Sequence, residues 1–309
     1  MVAPDDKTLN QFLQQKEAIH FFAGIDAFSL VYKAFKIAVK NKLKTGIYSE
    51  PFNWTGWKGK LRFLKYVLLN SRYGNRIDFI LAIGNRGRWC FEKTGFPKKN
   101  IFDWGYFTET PRYNTIQYST NAILNILFIG SIDVRKNILT LIDVCLKLNY
   151  KKQFVLNIIG TGYLRNELCE KIKSTDKINY IGSVPNNQIH EYLFKSDLLI
   201  LPSIFDGWGA VVNEALMCGT PAIASENCGS SVLIKDGRGR VFSVKENNLE
   251  KNLFDFLKEL PYSVEKRREI QNWALQNISG KAAAEYFEAV MNFVFNDTAK
   301  RPVAPWFKL

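Results

Sequence analysis

From residue 123 onward, short apolar runs alternate with stretches whose apolar residues recur at helical spacing. The runs are ILNILFIG (123–130), QFVLNIIG (153–160), INYIG (178–182), DLLILPS (197–203) and TPAIAS (220–225), and TLIDVCLKL, YLRNELCEKI and AVVNEALMC lie between them. Near-continuous apolar runs of strand length, bounded by glycine and separated by helices, predict strands buried on both faces of a parallel sheet. That pattern defines a Rossmann-like α/β domain. The first third repeats the theme more briefly in AIHFFAG (18–24), TGIYSEP (45–51) and DFILAIG (78–84). A polar segment around Arg112–Asn121, following Pro111, reads as the connection between two domains. The expected division is therefore 1–120, 121–280, and a helix and tail over 281–309 that return to the first domain. Residues 246–295 read as helical throughout, and the tail RPVAPWFKL as irregular.

Charge divides the chain unevenly. Of the net +13, most belongs to residues 1–122, which hold 19 lysines and arginines against 9 acidic residues; the remainder holds 23 against 20. A basic first domain favours an anionic partner: nucleic acid, an acidic membrane leaflet or a phosphorylated substrate. A solvated basic surface without a partner fits the count equally well. No nucleic-acid readout motif is present, so nucleic acid is not expected as a partner. The opening ten residues are polar, and no apolar stretch approaches the ~20 residues needed to span a bilayer. These features predict a cytoplasmic chain with no secretory leader. Five scattered cysteines without a C-x-x-C pair read as reduced core residues.

Parallel sheets bind ligands beyond the carboxyl ends of their strands, so the residues just after each run are the candidates. SIDVRKN puts Arg135 and Lys136 at the start of the next helix, where free N–H groups and two cations suit a diphosphate. A pair of surface bases would read the same way from this segment alone. Thr161-Gly162-Tyr163 forms a tight turn that a ligand can approach, or a structural turn. The richest segment is LPSIFDGWGAVVNEALMCGTPAIAS, in which Gly207, Trp208 and Gly209 open a helix between Asp206 and Glu214. Gly209 would admit a phosphate to the N–H groups of Ala210 and Val211. Asp206 would face sugar hydroxyls, and Glu214, one turn into the helix, would face a ribose diol. Capping explains an acid at Asp206 as well, but explains less well a carboxylate at Glu214 on an apolar helix.

Taken in order, these pieces resemble the donor domain of glycosyltransferase family 4, a large GT-B family of retaining enzymes. Asp206 and Glu214 match that family's acid-x7-Glu motif, FIGSIDVRKN its phosphate-binding loop, and IIGTGYLRNEL its glycine turn. INYIGSVPNNQIHEYLFKSDLLILPS is similar to the stretch reaching the base pocket, and NCGSSVLIKDGRGRVF to the glycine-rich loop and strand that follow. The resemblance implies a GT-B fold of two Rossmann-like domains with parallel sheets. It also implies a UDP-sugar donor, a saccharide or lipid-linked acceptor, retention of configuration, and no metal or other cofactor. Lys136, Asp206 and Glu214 would be the catalytic residues. The donor's base and phosphates would lie against Gly182 and Val184, Arg135, Gly162, Gly207, Gly209, Ala210 and Val211. Two departures stand out: Ser131 replaces an arginine common in relatives, and Asp206 is one methylene shorter than the usual glutamate. RIDFILAIGNRGRWCFEKTGFP resembles the last strand and helix of the acceptor domain, whose opening strands have no counterpart, so a shortened N-terminal domain is expected. A nucleotide-sugar-binding protein with little transfer activity is the alternative this implies.

Three further features belong to the first domain or the surface. His20 and Glu50 follow strand-like runs and are candidates to face a substrate, whereas His190 reads as a surface residue. In residues 53–73, Lys58, Lys65 and Arg72 recur every seven residues, Phe63, Leu64 and Val67 face roughly the other way, and Trp54 and Trp57 stand at the entrance. Cations flanked by tryptophan suit an anionic membrane surface, giving an expected peripheral site on the inner face of the cytoplasmic membrane. A core-packing helix with solvated lysines is the other reading.

Overall fold

The computed structural model describes residues 6–111, 123–148, 153–296 and 300–308. The expected connection at 112–121 lies outside the described residues. The chain divides into two compact units, one ending at Gly105 and resuming at Glu285, the other running from Tyr106 to Ala284.

The first unit contains α1 (Asp6–Phe12), β1 (Ile19–Ala23), α2 (Ser29–Lys40), β2 (Lys44–Ser49), α3 (Gly56–Tyr73), β3 (Phe79–Ile83), α4 (Gly84–Lys93) and β4 (Ile101–Trp104). Its four strands form one parallel sheet in the order β1-β2-β3-β4. The strand β4 was not among the expected runs, because IFDW is short and carries Asp103. Helix α2 buries Ala34, Phe35, Ala38 and Val39, the stripe that 3.6 residues per turn places on one face.

The second unit contains β5 (Leu124–Ile129), α5 (Ile138–Lys147), β6 (Phe154–Ile159), α6 (Arg165–Ile172), β7 (Ile178–Gly182), α7 (Asn186–Lys195), β8 (Leu198–Leu201), α8 (Val211–Met217), β9 (Ala222–Ser225), β10 (Gly239–Phe242), α9 (Leu249–Leu257) and α10 (Val264–Asn277). Helix α11 (Gly280–Phe295) begins here and carries the chain back to the first unit. All six strands are parallel, in the order β10-β9-β8-β5-β6-β7. Strands β8 and β9 are buried at every residue, as their unbroken apolar sequences require.

Three expectations need correction. The boundary falls at Gly105/Tyr106 rather than at 120, because Asn213 Nδ2 donates to the Tyr106 carbonyl at 2.7 Å and Thr108 bridges to Ser279. Residues 246–295 form three helices: Pro261 interrupts the first pair and Ser263 caps α10 by accepting from the Lys266 N–H. The tail is less irregular than its composition implies. A 3₁₀ turn at Pro305–Phe307 buries Trp306, and Arg301 donates to the carbonyls of Lys99 and Ile101.

Candidate functional site

The second unit's strand order creates a crevice. The chain runs from β5 outward through β6 to β7, then returns to place β8 on the other side of β5. The connections leaving β5 and β8 therefore diverge, and such a switch point is where open α/β sheets bind ligands.

Lys136 comes from the first of these connections. Ser131 Oγ donates to Asp133 Oδ2 at 2.7 Å, and Asp133 Oδ1 accepts from the Lys136 N–H at 2.8 Å. Burial acts to raise the Asp133 pKa, but the Ser131 hydroxyl, the Lys136 N–H and the adjacent cations outweigh it and hold the carboxyl below its ordinary range. Arg135 and Lys136 thus sit in a 3₁₀ turn, Val134–Lys136, and not on the helix itself, which begins at Ile138. Asn137 makes that break by adopting a left-handed conformation (φ 58°) while its Nδ2 donates to the Pro202 carbonyl at 3.2 Å.

Asp206 comes from the second connection. Its N–H donates to the Asn227 carbonyl at 3.1 Å, and its own carbonyl accepts from the Gly229 N–H at 3.2 Å. The carboxylate forms an ion pair with Lys136 Nζ, both side chains being largely buried. Arg135 lies at the rim, half exposed, with Nη1 3.8 Å from the same carboxylate and 3.5 Å from the Phe205 carbonyl. The arrangement concentrates two cations and two carboxylates, Asp206 and Asp133, whose Oδ2 lies 3.9 Å from Arg135 Nη2, at a partly desolvated point where electrostatic interactions are stronger than in water.

The Gly207-Trp208-Gly209 turn is held from behind. Trp208 is fully buried; its Nε1 donates to Asn213 Oδ1 at 2.8 Å and its carbonyl accepts from Ser230 N. At Gly209 (φ 87°) the left-handed conformation demands glycine, and a Cβ would also displace Leu201 Cδ2, 2.6 Å away. Ala210 and Val211 follow at the start of α8, a helix of only two turns. Gly162 is likewise a packing position: a Cβ there would come 2.2 Å from the Ile132 carbonyl oxygen, locking the loop after β6 onto the loop after β5.

Glu214 faces a cavity of about 700 Å³ bounded by Ile129 at the end of β5, Thr108 and Glu109, and Asn186 and His190 of α7. Burial pushes the Glu214 carboxyl above its ordinary range. Gly182 ends β7, and the half-buried Val184 lies in the connection to α7. His190, expected on the surface, lines this cavity instead; burial lowers its pKa, partly offset by Glu109. Neither His190 nor Glu109 was singled out for a site, since the fold alone brings them beside Glu214. A helical spacing that puts His190 one turn from Asn186 was the available signal.

The other candidates lie in the first unit. His20 Nε2 is 3.1 Å from the Gln15 carbonyl, and Glu50 is exposed after β2. Among the described residues, no group of three or more His, Cys, Asp or Glu side chains could hold a metal ion. Burial pushes the thiols of Cys90 and Cys228 up to about 11 and Cys145 to about 12, which leaves them poor nucleophiles at neutral pH.

Known structures share this architecture. The lipopolysaccharide outer core galactosyltransferase WaaB, in its apo form, superimposes with a TM-score of 0.71 at 16% identity, covering 94% of this chain and 79% of that one. Alr3699/HepE of Anabaena, in complex with UDP and glucose, gives 0.67 at 13% identity over 91% and 80%. The chain is 30% identical over 228 residues to a 41.2 kDa protein of the cps region of Klebsiella pneumoniae, covering 70% of this chain and 61% of that protein. It is 28% identical over 162 residues to the amylovoran biosynthesis glycosyltransferase AmsD of Erwinia amylovora, 50% and 46% of the two chains. The matches thus span less than two thirds of either relative's length. Two Rossmann-like units with all-parallel sheets make this a GT-B fold. Within it, residues 123–275 match the protein family Glycosyl transferases group 1, and that domain of the chain belongs to the family.

Proposed function

We propose that the chain transfers a sugar, with retention, from a nucleoside diphosphate to a saccharide or lipid-linked acceptor in surface polysaccharide or glycolipid synthesis. The carrying observation is the cluster of Lys136, Arg135 and Asp206 at the switch point. In the reaction the anomeric C–O bond breaks with its electron pair passing to the diphosphate, the acceptor hydroxyl oxygen forms the new bond, and its proton leaves with the diphosphate. Lys136 and Arg135 neutralise the charge that develops on the leaving group. Lys136 exchanges its ion pair with Asp206 for the diphosphate, which frees the carboxylate to accept from sugar hydroxyls. Glu214 accepts from the ribose diol, and the base lies against Gly182 and Val184. With side-chain cations carrying this neutralisation, we place no metal or other cofactor in the reaction. UDP is the favoured nucleotide, with GDP next; the presence of UDP and glucose in HepE supports this choice.

The test is a calorimetric titration with UDP, GDP and their sugars, paired with product analysis for transfer or donor hydrolysis. Asp206→Asn is expected to retain nucleoside diphosphate affinity while losing turnover. Failure of every nucleotide to bind, or equal losses for diphosphate and sugar nucleotide in Asp206→Asn, would overturn the assignment.

A further inference from the structure

Helix α3 leaves a long face uncovered in the first unit. It turns Gly59, Leu69 and Tyr73 inward. On the opposite side Trp57, Leu61, Leu64 and Leu68 are 68%, 56%, 56% and 62% exposed. Their spacing of four, three and four residues puts all four within an arc of roughly 60° on a helix of 3.6 residues per turn. The expectation that Leu64 faces away from the cationic stripe is therefore corrected: it stands on the outward crest, while Phe63 and Val67 are half-buried. Phe28, 71% exposed, extends the crest, since it and Leu68 line one cleft together with Lys65 and Arg72. A crest of a tryptophan, three leucines and a phenylalanine is unusual for a surface that meets only water.

Charge identifies the occupant. Helix α3 has no acidic residue, and the same helical geometry puts Lys58, Lys65 and Arg72 along one border of the crest and Lys60 along the other. Lys65 is ion-paired with Asp26, and Lys58 Nζ lies 5.5 Å from the Trp57 ring centroid. Trp54 packs against Trp89 at 4.6 Å between centroids, anchoring the entrance to the helix. A second copy of the chain would bring like-charged borders together across the crest. A bilayer with anionic headgroups meets both requirements, taking the apolar side chains into the interfacial region and the cations at headgroup level. No helix among the described residues is long and apolar enough to cross a membrane, so the contact is one of lying on the surface. We propose that the outward face of α3, with Phe28, docks the first unit onto an anionic lipid bilayer. This stands on the first unit's own residues, apart from the donor chemistry.

The experiment is sedimentation of the full chain with vesicles of phosphatidylcholine alone or mixed with phosphatidylglycerol. Binding is expected to the mixed vesicles and to weaken with salt. Leu64→Ser with Leu68→Ser is expected to reduce partitioning at least tenfold, by the ~0.8 kcal/mol carried by each buried methylene. Lys58→Gln and Lys60→Gln are each expected to reduce it about fivefold on mixed vesicles, the equivalent of ~1 kcal/mol per cation. Circular dichroism and nucleotide titration check that the variants stay folded. Equal binding to both vesicle types, no binding to either, or insensitivity to the leucine substitutions would overturn the proposal. So would vesicle-free association, seen by light scattering, that the same substitutions abolish, since it would make the crest a protein interface.

Discussion

The two units solve the same architectural problem with different materials. The second fills its core with aliphatic side chains such as Ile126, Leu156, Leu198 and Ile223, and closes its loops backbone against backbone. The first packs aromatic rings: Phe35 against Tyr73 at 5.3 Å, Phe91 against Phe96 at 5.3 Å, and Trp104 stacked on Tyr286 at 5.5 Å. Rings can tilt to accommodate a neighbour, whereas a carbonyl in a closed turn cannot move without moving the chain. The second unit carries the charge cluster, and the ring-packed first unit carries the basic surface and the exposed crest. A site that must hold charges in fixed geometry belongs on the second unit's kind of scaffold.

Nucleotide affinity should separate the units most strongly. Lys136→Ala is expected to weaken nucleoside diphosphate binding by ~1.5–3 kcal/mol, the range for a charge-assisted hydrogen bond, whereas Lys40→Ala on the exposed end of α2 leaves it unchanged. Equal affinity in the two variants, measured by calorimetry, would remove Lys136 from the site and dissolve the contrast. A smaller effect tests the packing difference itself. A Cβ at Gly162 would come 2.2 Å from the Ile132 carbonyl oxygen, and one at Gly46 2.2 Å from the Phe79 ring. Each alanine substitution should cost ~1–3 kcal/mol by overpacking. Phe79→Leu should recover part of the loss at Gly46, and no side-chain substitution should do so at Gly162. Denaturant unfolding of the single and double variants decides it: no coupling between positions 46 and 79 would show that the ring-packed core is no more adaptable.

The smallest expected effect is a pH dependence. Burial raises the Glu214 pKa, so its carboxylate, the form that binds a diol, is lost on acidification at a higher pH than for an ordinary glutamate. Nucleotide affinity should fall as pH drops through that raised value, and Glu214→Gln should abolish the step while lowering affinity at neutral pH by about 1 kcal/mol. Stability runs the opposite way. A carboxyl with a raised folded pKa favours the fold when protonated, and that advantage is lost as pH rises through the folded value. Glu214→Gln should therefore raise the thermal midpoint at neutral pH. A midpoint that falls instead would mean that Glu214 has a native partner beyond its burial.

Much of the second unit was legible because its signals are local. Strands β5, β6 and β7 announce themselves as apolar runs closed by glycine, and β8 and β9 as unbroken apolar runs; Lys136 and Asp206 were read as candidates from their positions after such runs, and Glu214 from its spacing to Asp206. What stayed hidden depended on neighbours remote in sequence. Asp103 disguised β4, although that aspartate accepts from Arg88 at 2.6 Å inside the fold. His190 looked like a surface residue on an amphipathic helix until Ile129, Glu109 and Glu214 closed a cavity around it. Leu64 was assigned away from the cationic stripe because helical spacing ranks faces but does not say which of them the core covers.

The chain's own sequence thus determined which segments become strands, where glycine must stand, and which side chains are available at the strand ends. These follow from periodicity and from steric limits that act over a few residues. Only the tertiary structure decided that Lys136 and Asp206, 70 positions apart, form a pair. That pairing exists because the chain leaves β5 in one direction and returns as β8 on its other side. Such a choice is made by burying the central strands of the sheet on both faces together, and no local stretch of residues encodes it.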